Sequence, residues 1–129
     1  MKTTVLSEGL LGGAILGVVA VAFGVLGLSP SFSWIPEAAL LAALVLVPIG
    51  VTGAIGGRAA MHTGRLMSGT LAGLIAGAIA GCVGGLTYFA FGKPALNVLI
   101  GTLGGALLGA IAGMVGAALD LRRRPAQRL

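Results

Sequence analysis

Residues able to carry chemistry are few in this sequence, and they lie far apart. The candidates are one histidine, one cysteine and three acids: His62, Cys82, Glu8, Glu37 and Asp120. Catalysis needs a nucleophile beside a base, or carboxylates that converge, and a structural zinc site needs about four ligands. The spacing brings no such set together. The sequence therefore predicts a protein that is not an enzyme and that holds no metal or cofactor.

Composition indicates a membrane protein. The 129 residues are 57% hydrophobic and 9% charged, with a mean hydropathy of +1.10, whereas a soluble domain has about 25% charged residues. A helix needs about 20 apolar residues to cross the hydrocarbon core. We therefore expect one all-α membrane domain, residues 1–129, built as two consecutive helical hairpins. The expected spans are about 10–28, 38–57, 69–91 and 96–119, followed by a basic tail at 120–129.

Glycine recurs every four residues in the third and fourth of these segments. On a helix of about 3.6 residues per turn, such a row forms a small-residue stripe along which a second backbone can approach closely. We expect a glycine-zipper hairpin at the centre of the protein, with the large residues, including Ile79, facing lipid or a loose contact. The predicted helix-packing residues are Gly69, Gly73, Gly77, Gly81, Gly85, Gly101, Gly105, Gly109 and Gly113.

Charge predicts the orientation. Four spans put both termini on one side, together with seven of the eight basic residues, and leave Lys93 alone on the other. Because basic residues accumulate in cytoplasmic loops, both termini are expected in the cytoplasm, most naturally of a bacterial cell with this protein in its cytoplasmic membrane. Aromatic residues mark the outer interface: Phe32, Trp34, Tyr88, Phe89 and Phe91.

The basic tail has two interpretations. Arg122, Arg123 and Arg124 are predicted to meet anionic lipid headgroups, at about 1 kcal/mol per basic residue. The simpler interpretation is a topology anchor. Nucleic-acid binding is not expected, since it needs a structured basic face.

Several local expectations follow from residue type. Pro48 should kink the second helix because it lacks an N–H. His62 is expected to be a solvated residue in a loop over 58–68. Asp120 and Arg124 stand four apart and should pair weakly. Asn97 and Thr102 are placed to hydrogen-bond across to the third helix.

Two families of similar size have four spans. Small multidrug transporters resemble the chain only in length, because their carboxylate within the first helix has no expected counterpart; Glu8 is predicted to lie at a helix end. The stretch at 81–91, Gly-Cys-Val-Gly-Gly-Leu-Thr-Tyr-Phe-Ala-Phe, resembles the glycine–threonine–phenylalanine stretch in the third helix of fluoride channels. That resemblance implies a small ion channel. The arginine of the first helix and the asparagine of the second are absent here, and Tyr88 and Ala90 replace the motif's hydroxyls.

The function that these patterns favour is a small, non-enzymatic scaffold or accessory subunit, either self-associating or part of a larger membrane assembly. The alternative is a pore-forming protein, holin-like or a small ion channel. Stripes of glycine and alanine with almost no hydroxyls favour helix packing over a water-filled lumen.

Overall fold

Four long helices make up the protein in a computed structural model that describes residues 2–123. They are α1 (Lys2–Leu28), α2 (Glu37–Thr63), α3 (Leu66–Ala90) and α4 (Leu96–Arg123), with a 3-10 turn at Pro30–Phe32. Each long helix has the length and hydropathy needed to cross a membrane. The all-helical fold with four membrane-spanning candidates is thus confirmed.

The helices extend beyond the apolar stretches, most of all where α2 meets α3. The segment expected as a loop over 58–68 shrinks to a turn at Gly64 and Arg65. Gly64 ends α2 with a φ of 70°, a left-handed conformation that glycine adopts without steric cost. Because α1 begins at Lys2 and α2 ends at Thr63, Glu8 and His62 lie on helices.

Helices α3 and α4 are antiparallel neighbours in the middle of the bundle. Helix α1 packs parallel to α3 on one side, and α2 packs parallel to α4 on the other, with further contacts between α2 and both α1 and α3. Helix α2 continues through Pro48 as one element. The two hairpins therefore have the same orientation.

The two ends of the bundle differ in chemistry. We call the end with the α2–α3 turn the basic end; Arg58, Arg65, Arg122 and Arg123 lie there, and α1 begins there at Lys2. We call the opposite end, with the α1–α2 and α3–α4 connections, the aromatic end; it carries Trp34, Tyr88, Phe89 and Phe91.

Most buried residues lie in the half of the bundle towards the basic end. The core cluster there is Ile55, Ala59 and Ala72, with Val5 and Val51 packed against it. All buried residues of α2 lie between Thr52 and Ala60, in its second half. The first half of α2, in contrast, is only loosely covered by the rest of the protein.

Candidate functional site: an apolar cavity beside a close-packed hairpin

The predicted packing glycines of α3 and α4 face one another across a very short distance. A Cβ built on Gly81, Gly77 or Gly73 would collide with the backbone oxygen of Gly101, Gly105 or Gly109, respectively. The reverse holds for Cβ atoms built on those three α4 glycines. Backbones this close leave no room between the helices for water or a side chain.

Two of the predicted glycines have other neighbours. A Cβ on Gly69 would meet the Ala117 side chain and, at 2.5 Å, the Gly56 backbone oxygen. A Cβ on Gly56 in turn would collide with the Gly113 backbone. Three helices, α2, α3 and α4, therefore meet through glycine near the basic end. At the other end of the hairpin, Gly85 lies against Asn97 and Val98.

Two large residues of α3, Ile75 and Ile79, do not face lipid as predicted from the helical wheel, whereas Leu71 and Leu86 of the same sector are exposed. A Cβ on Gly13 would lie 2.6 to 3.0 Å from Ile79, and one on Gly9 would lie 2.9 Å from Ile75. Val83 and Thr87 sit in the same way over Gly17 and Gly24. The assignment of Ile79 to lipid or a loose contact was wrong, because glycines in α1 provide grooves into which these side chains fit closely.

An apolar cavity of about 530 Å³ lies beside the first half of α2, which contributes Leu44, Val45 and Pro48 to its lining. All four helices line it, and it extends from Leu16, Thr52 and Gly77 near mid-bundle to Tyr88 and Asn97 at the aromatic end. Small-molecule sites usually measure about 300–1,000 Å³ and combine apolar walls with a few placed polar groups. By size and lining, this cavity is the strongest candidate site among the described residues.

Two polar side chains lie at the aromatic end of this cavity, Tyr88 and Asn97. No described residue hydrogen-bonds to the Tyr88 hydroxyl or to the Asn97 side-chain amide. The expected bonds from Asn97 and Thr102 across to α3 are therefore wrong. Thr102 donates instead to Val98 O within α4, at 2.7 Å. The polar hydrogens of Tyr88 and Asn97 remain available to a ligand.

The cavity ends towards the basic end at closely packed residues. Leu16 is fully buried there, and a Cβ on Gly12 of α1 would collide with the Ile55 side chain. The Thr52 hydroxyl, at the bottom of the cavity, already donates to Pro48 O at 2.6 Å. The cavity is thus open in one half of the bundle and blocked in the other.

Glu8 forms a second polar feature, close to the basic end. Its side chain is 10% exposed, and one carboxylate oxygen lies 3.4 Å from Arg58 Nη2 and 3.8 Å from His62 Nδ1. The other oxygen is buried and has no hydrogen-bond partner among the described residues. The prediction that Glu8 sits at a helix end was wrong, as was the prediction of His62 as a loop residue. The long α1 and α2 bring these residues together.

The predicted headgroup residues lie at or beyond the end of α4. Arg122 and Arg123 are exposed in its last turn, and Arg124 falls outside the described residues. Asp120, predicted to pair with Arg124, has Arg123 Nη1 at 3.9 Å from its carboxylate. Asp120 also packs against Gly57, which makes it a contact between α4 and α2.

Other chemistry finds no support among the residues that the structure describes. Over residues 2–123, no group of three histidine, cysteine or acidic residues is placed to hold a metal ion. In the stretch that resembles fluoride channels, Phe89 and Phe91 are exposed, whereas Gly84, Gly85 and Tyr88 line the cavity. No family model, curated protein or solved structure matches this sequence.

The Glu8–Arg58 contact gives an asymmetric prediction. We expect Arg58→Gln to lower stability by about 1–2 kcal/mol, because it leaves a buried carboxylate without its cation; the value is reduced because the Arg58 side chain is 57% exposed. Glu8→Gln should cost less, since water can solvate Arg58 and His62. Thermal unfolding of both variants in detergent measures this.

The matched control is Arg122→Gln, which removes the same charge from an exposed position in α4. It should leave the unfolding temperature close to that of the unmodified protein. In the Glu8→Gln background, Arg58→Gln should cost little more. If Glu8→Gln were as damaging as Arg58→Gln, burial of the carboxylate would not be the cause.

Proposed function

We propose that this protein is a small, non-enzymatic membrane scaffold or accessory subunit built on a glycine-zipper hairpin. The observation that carries the proposal is the backbone contact between α3 and α4, from Gly73–Gly109 to Gly81–Gly101. Such contact favours a rigid pair of helices, because small residues maximise van der Waals contact in lipid, where no hydrophobic force drives association.

Exposed apolar side chains on the outside of the bundle support association with another protein. Many large side chains along α1, α2 and α4 are exposed, by between 38% and 72%, among them Val18, Val47 and Leu103. In a membrane, lipid or another protein can cover such surfaces. We therefore propose a homo-oligomer or a larger membrane assembly as the working form, with no nucleic-acid partner.

The charge distribution supports a multi-pass protein with both termini in the cytoplasm, and we propose the cytoplasmic membrane of a bacterial cell as its location. Arg58, Arg65, Arg122 and Arg123 share the basic end, and Lys93 is at the aromatic end. On this orientation, the end of α4 with Arg122 and Arg123 lies at the cytoplasmic headgroups, where basic residues favour anionic lipid.

A pore is the second candidate, and the cavity is the observation that favours it. All four helices surround this space, as they would surround the vestibule of a channel. Two features weigh against conduction: the walls are mainly apolar, and the packed residues around Leu16 and Ile55 close the route to the basic end.

Purification and flux measurements distinguish the two candidates. After extraction in mild detergent, we expect the protein in a discrete complex larger than a monomer, with itself or with other membrane proteins. The purified protein in liposomes should support no flux of protons, sodium or fluoride. A fluoride current lost in Phe89→Ala would instead favour the channel, and a strict monomer without flux would leave neither proposal standing.

The proposed orientation has its own test, in a Cys82→Ser background. A cysteine at Ser31, in the α1–α2 connection, should react with a membrane-impermeant thiol reagent added outside intact cells. A cysteine at Thr63, at the other end of α2, should react only after the membrane is permeabilised. Labelling of Thr63→Cys but not Ser31→Cys in intact cells would invert the topology.

A further inference from the structure

We propose that the cavity binds one acyl chain of an anionic phospholipid, with the headgroup at the aromatic end. The depth of the cavity fits one acyl chain. The cavity extends along α3 from Gly77 to Tyr88, which is about 16 Å at 1.5 Å per residue. The hydrocarbon core is about 30 Å thick, so one leaflet is about half of that. The cavity thus ends where an acyl chain from that leaflet ends.

The polarity of the cavity walls changes along the length of the cavity. Its lower and middle walls are apolar, formed by residues such as Leu16, Ala80 and Leu108, and suit a hydrocarbon chain. The unpaired donors of Tyr88 and Asn97 are confined to the aromatic end. This arrangement matches a molecule with an apolar body and hydrogen-bond acceptors at one end, as in the ester and phosphate groups of a phospholipid.

A basic residue, Lys93, lies at the aromatic end, where the headgroup is proposed to sit. Lys93 follows Tyr88 around the α3–α4 turn, and its backbone N–H donates to Tyr88 O at 3.1 Å. Its exposed side chain is the basic group at this end of the described bundle. Neither Lys93 nor Glu37, the acid that opens α2 at this end, lines the cavity. Because Lys93 is joined to Tyr88 through the turn, we place its charge beside a headgroup that lies above Tyr88 and Asn97.

The first half of α2 provides a lateral entrance through which an acyl chain can reach the cavity. Leu44 and Val45 of α2 line the cavity and are also exposed on the surface of the protein. A chain can therefore enter sideways from the bilayer, without crossing the packed half of the bundle.

Cavity-filling variants test the proposal with a matched pair. Gly84 lines the cavity, and a Cβ there would meet only Ala20, at 3.7 Å, so Gly84→Leu should fill the space without disturbing helix contacts. Gly104 is exposed, and a Cβ there has no described neighbour within 4 Å, so Gly104→Leu makes the same exchange outside the cavity. Ala20→Leu fills the cavity from α1 if Gly84→Leu fails to fold.

The probe is phosphatidylglycerol with a photoreactive acyl chain, in nanodiscs of phosphatidylcholine. Native mass spectrometry should show one retained phosphatidylglycerol, and cross-links should map to Leu16 or Ala80. Retention should fall at least about tenfold in Gly84→Leu or Ala20→Leu and be unchanged in Gly104→Leu. Lys93→Gln should remove the preference for phosphatidylglycerol over phosphatidylcholine.

Two results would overturn the proposal. One is cross-linking at exposed positions such as Leu103 with none at Leu16 or Ala80, which would mean that lipid covers the surface but does not enter. The other is unchanged retention in a folded cavity-filling variant. A failure of either kind leaves the scaffold proposal intact, since that rests on α3 and α4.

Discussion

Gly77→Leu is expected to disrupt the α3–α4 hairpin. A Cβ on Gly77 would collide with the Gly105 oxygen and lie 3.0 Å from Gly109 Cα, and backbone atoms cannot rotate away. Overpacking typically costs about 1–3 kcal/mol, and we expect the upper end or more because whole helices must separate. Thermal unfolding and particle size in detergent measure the effect.

Gly104→Leu is the control for this exchange. It introduces the same side chain into α4, where a Cβ would have open space. Its unfolding temperature should remain close to that of the unmodified protein. Ile79→Leu, a volume-conserving change that would be neutral against lipid, should have a measurable cost, because Ile79 fits over Gly13 of α1. Equal, small effects of Gly77→Leu and Gly104→Leu would mean that Gly77 faces lipid.

Gly56→Leu is expected to detach α2 from the bundle. Gly56 lies where α2 meets α3 and α4, and a Cβ there would collide with the Gly113 backbone. All buried residues of α2 lie in this half, so losing the contact leaves its other half with little to hold it. We expect a cost of about 3 kcal/mol or more, together with much faster protease cleavage in the α1–α2 connection.

Gly50→Leu is the matched change on the same helix. It lies about 1.7 turns away on a helix of 3.6 residues per turn, and a Cβ there has no described neighbour within 4 Å. Both variants lose one glycine from α2 and gain one leucine, so helix propensity and hydropathy change equally. If Gly50→Leu also detached α2, the collision with Gly113 would not explain the effect of Gly56→Leu.

The spans and the small-residue stripe were within reach of the sequence because both follow from local periodicity. Apolar runs of about 20 residues identify spans, and glycines every four residues mark one helix face. The lipid-facing side of α3, in contrast, could not be predicted from local periodicity. Ile79 is apolar whether it meets lipid or protein, and only the glycines of α1 with matching spacing, such as Gly13 opposite Ile79, distinguish the two.

The polar contacts near the basic end were missed for a related reason. Glu8 precedes the apolar run of α1, so hydropathy alone gives no sign that the helix begins at Lys2. The turn at Gly64 and Arg65 lets α2 continue to Thr63, which places Arg58 and His62 beside Glu8. Glu8 and Arg58 are 50 residues apart in sequence, and only the tertiary arrangement brings them together.

The cavity had no signal in the sequence at all. It lies beside the first half of α2, whereas the buried residues of that helix, among them Ile55 and Gly56, all lie in the second half. The first half has the same apolar character, with large residues such as Leu44 and Val45 instead of small ones. Small residues occur at close helix contacts, and large residues occur where helices separate. This pattern can be recognised only once the neighbouring helices are known.

Solid-state NMR of protein in lipid bilayers, labelled with carbon-13 at glycine Cα, measures directly whether the backbones of α3 and α4 are in contact. Contact through α3 and α4 should give through-space cross-peaks between Gly77 and Gly105 or Gly109, and between Gly73 and Gly109 or Gly113. These cross-peaks should persist when labelled protein is diluted with unlabelled protein, because the contacts lie within one chain. Absence of these glycine pairs, or their loss on dilution, would contradict close packing of α3 against α4 within one chain.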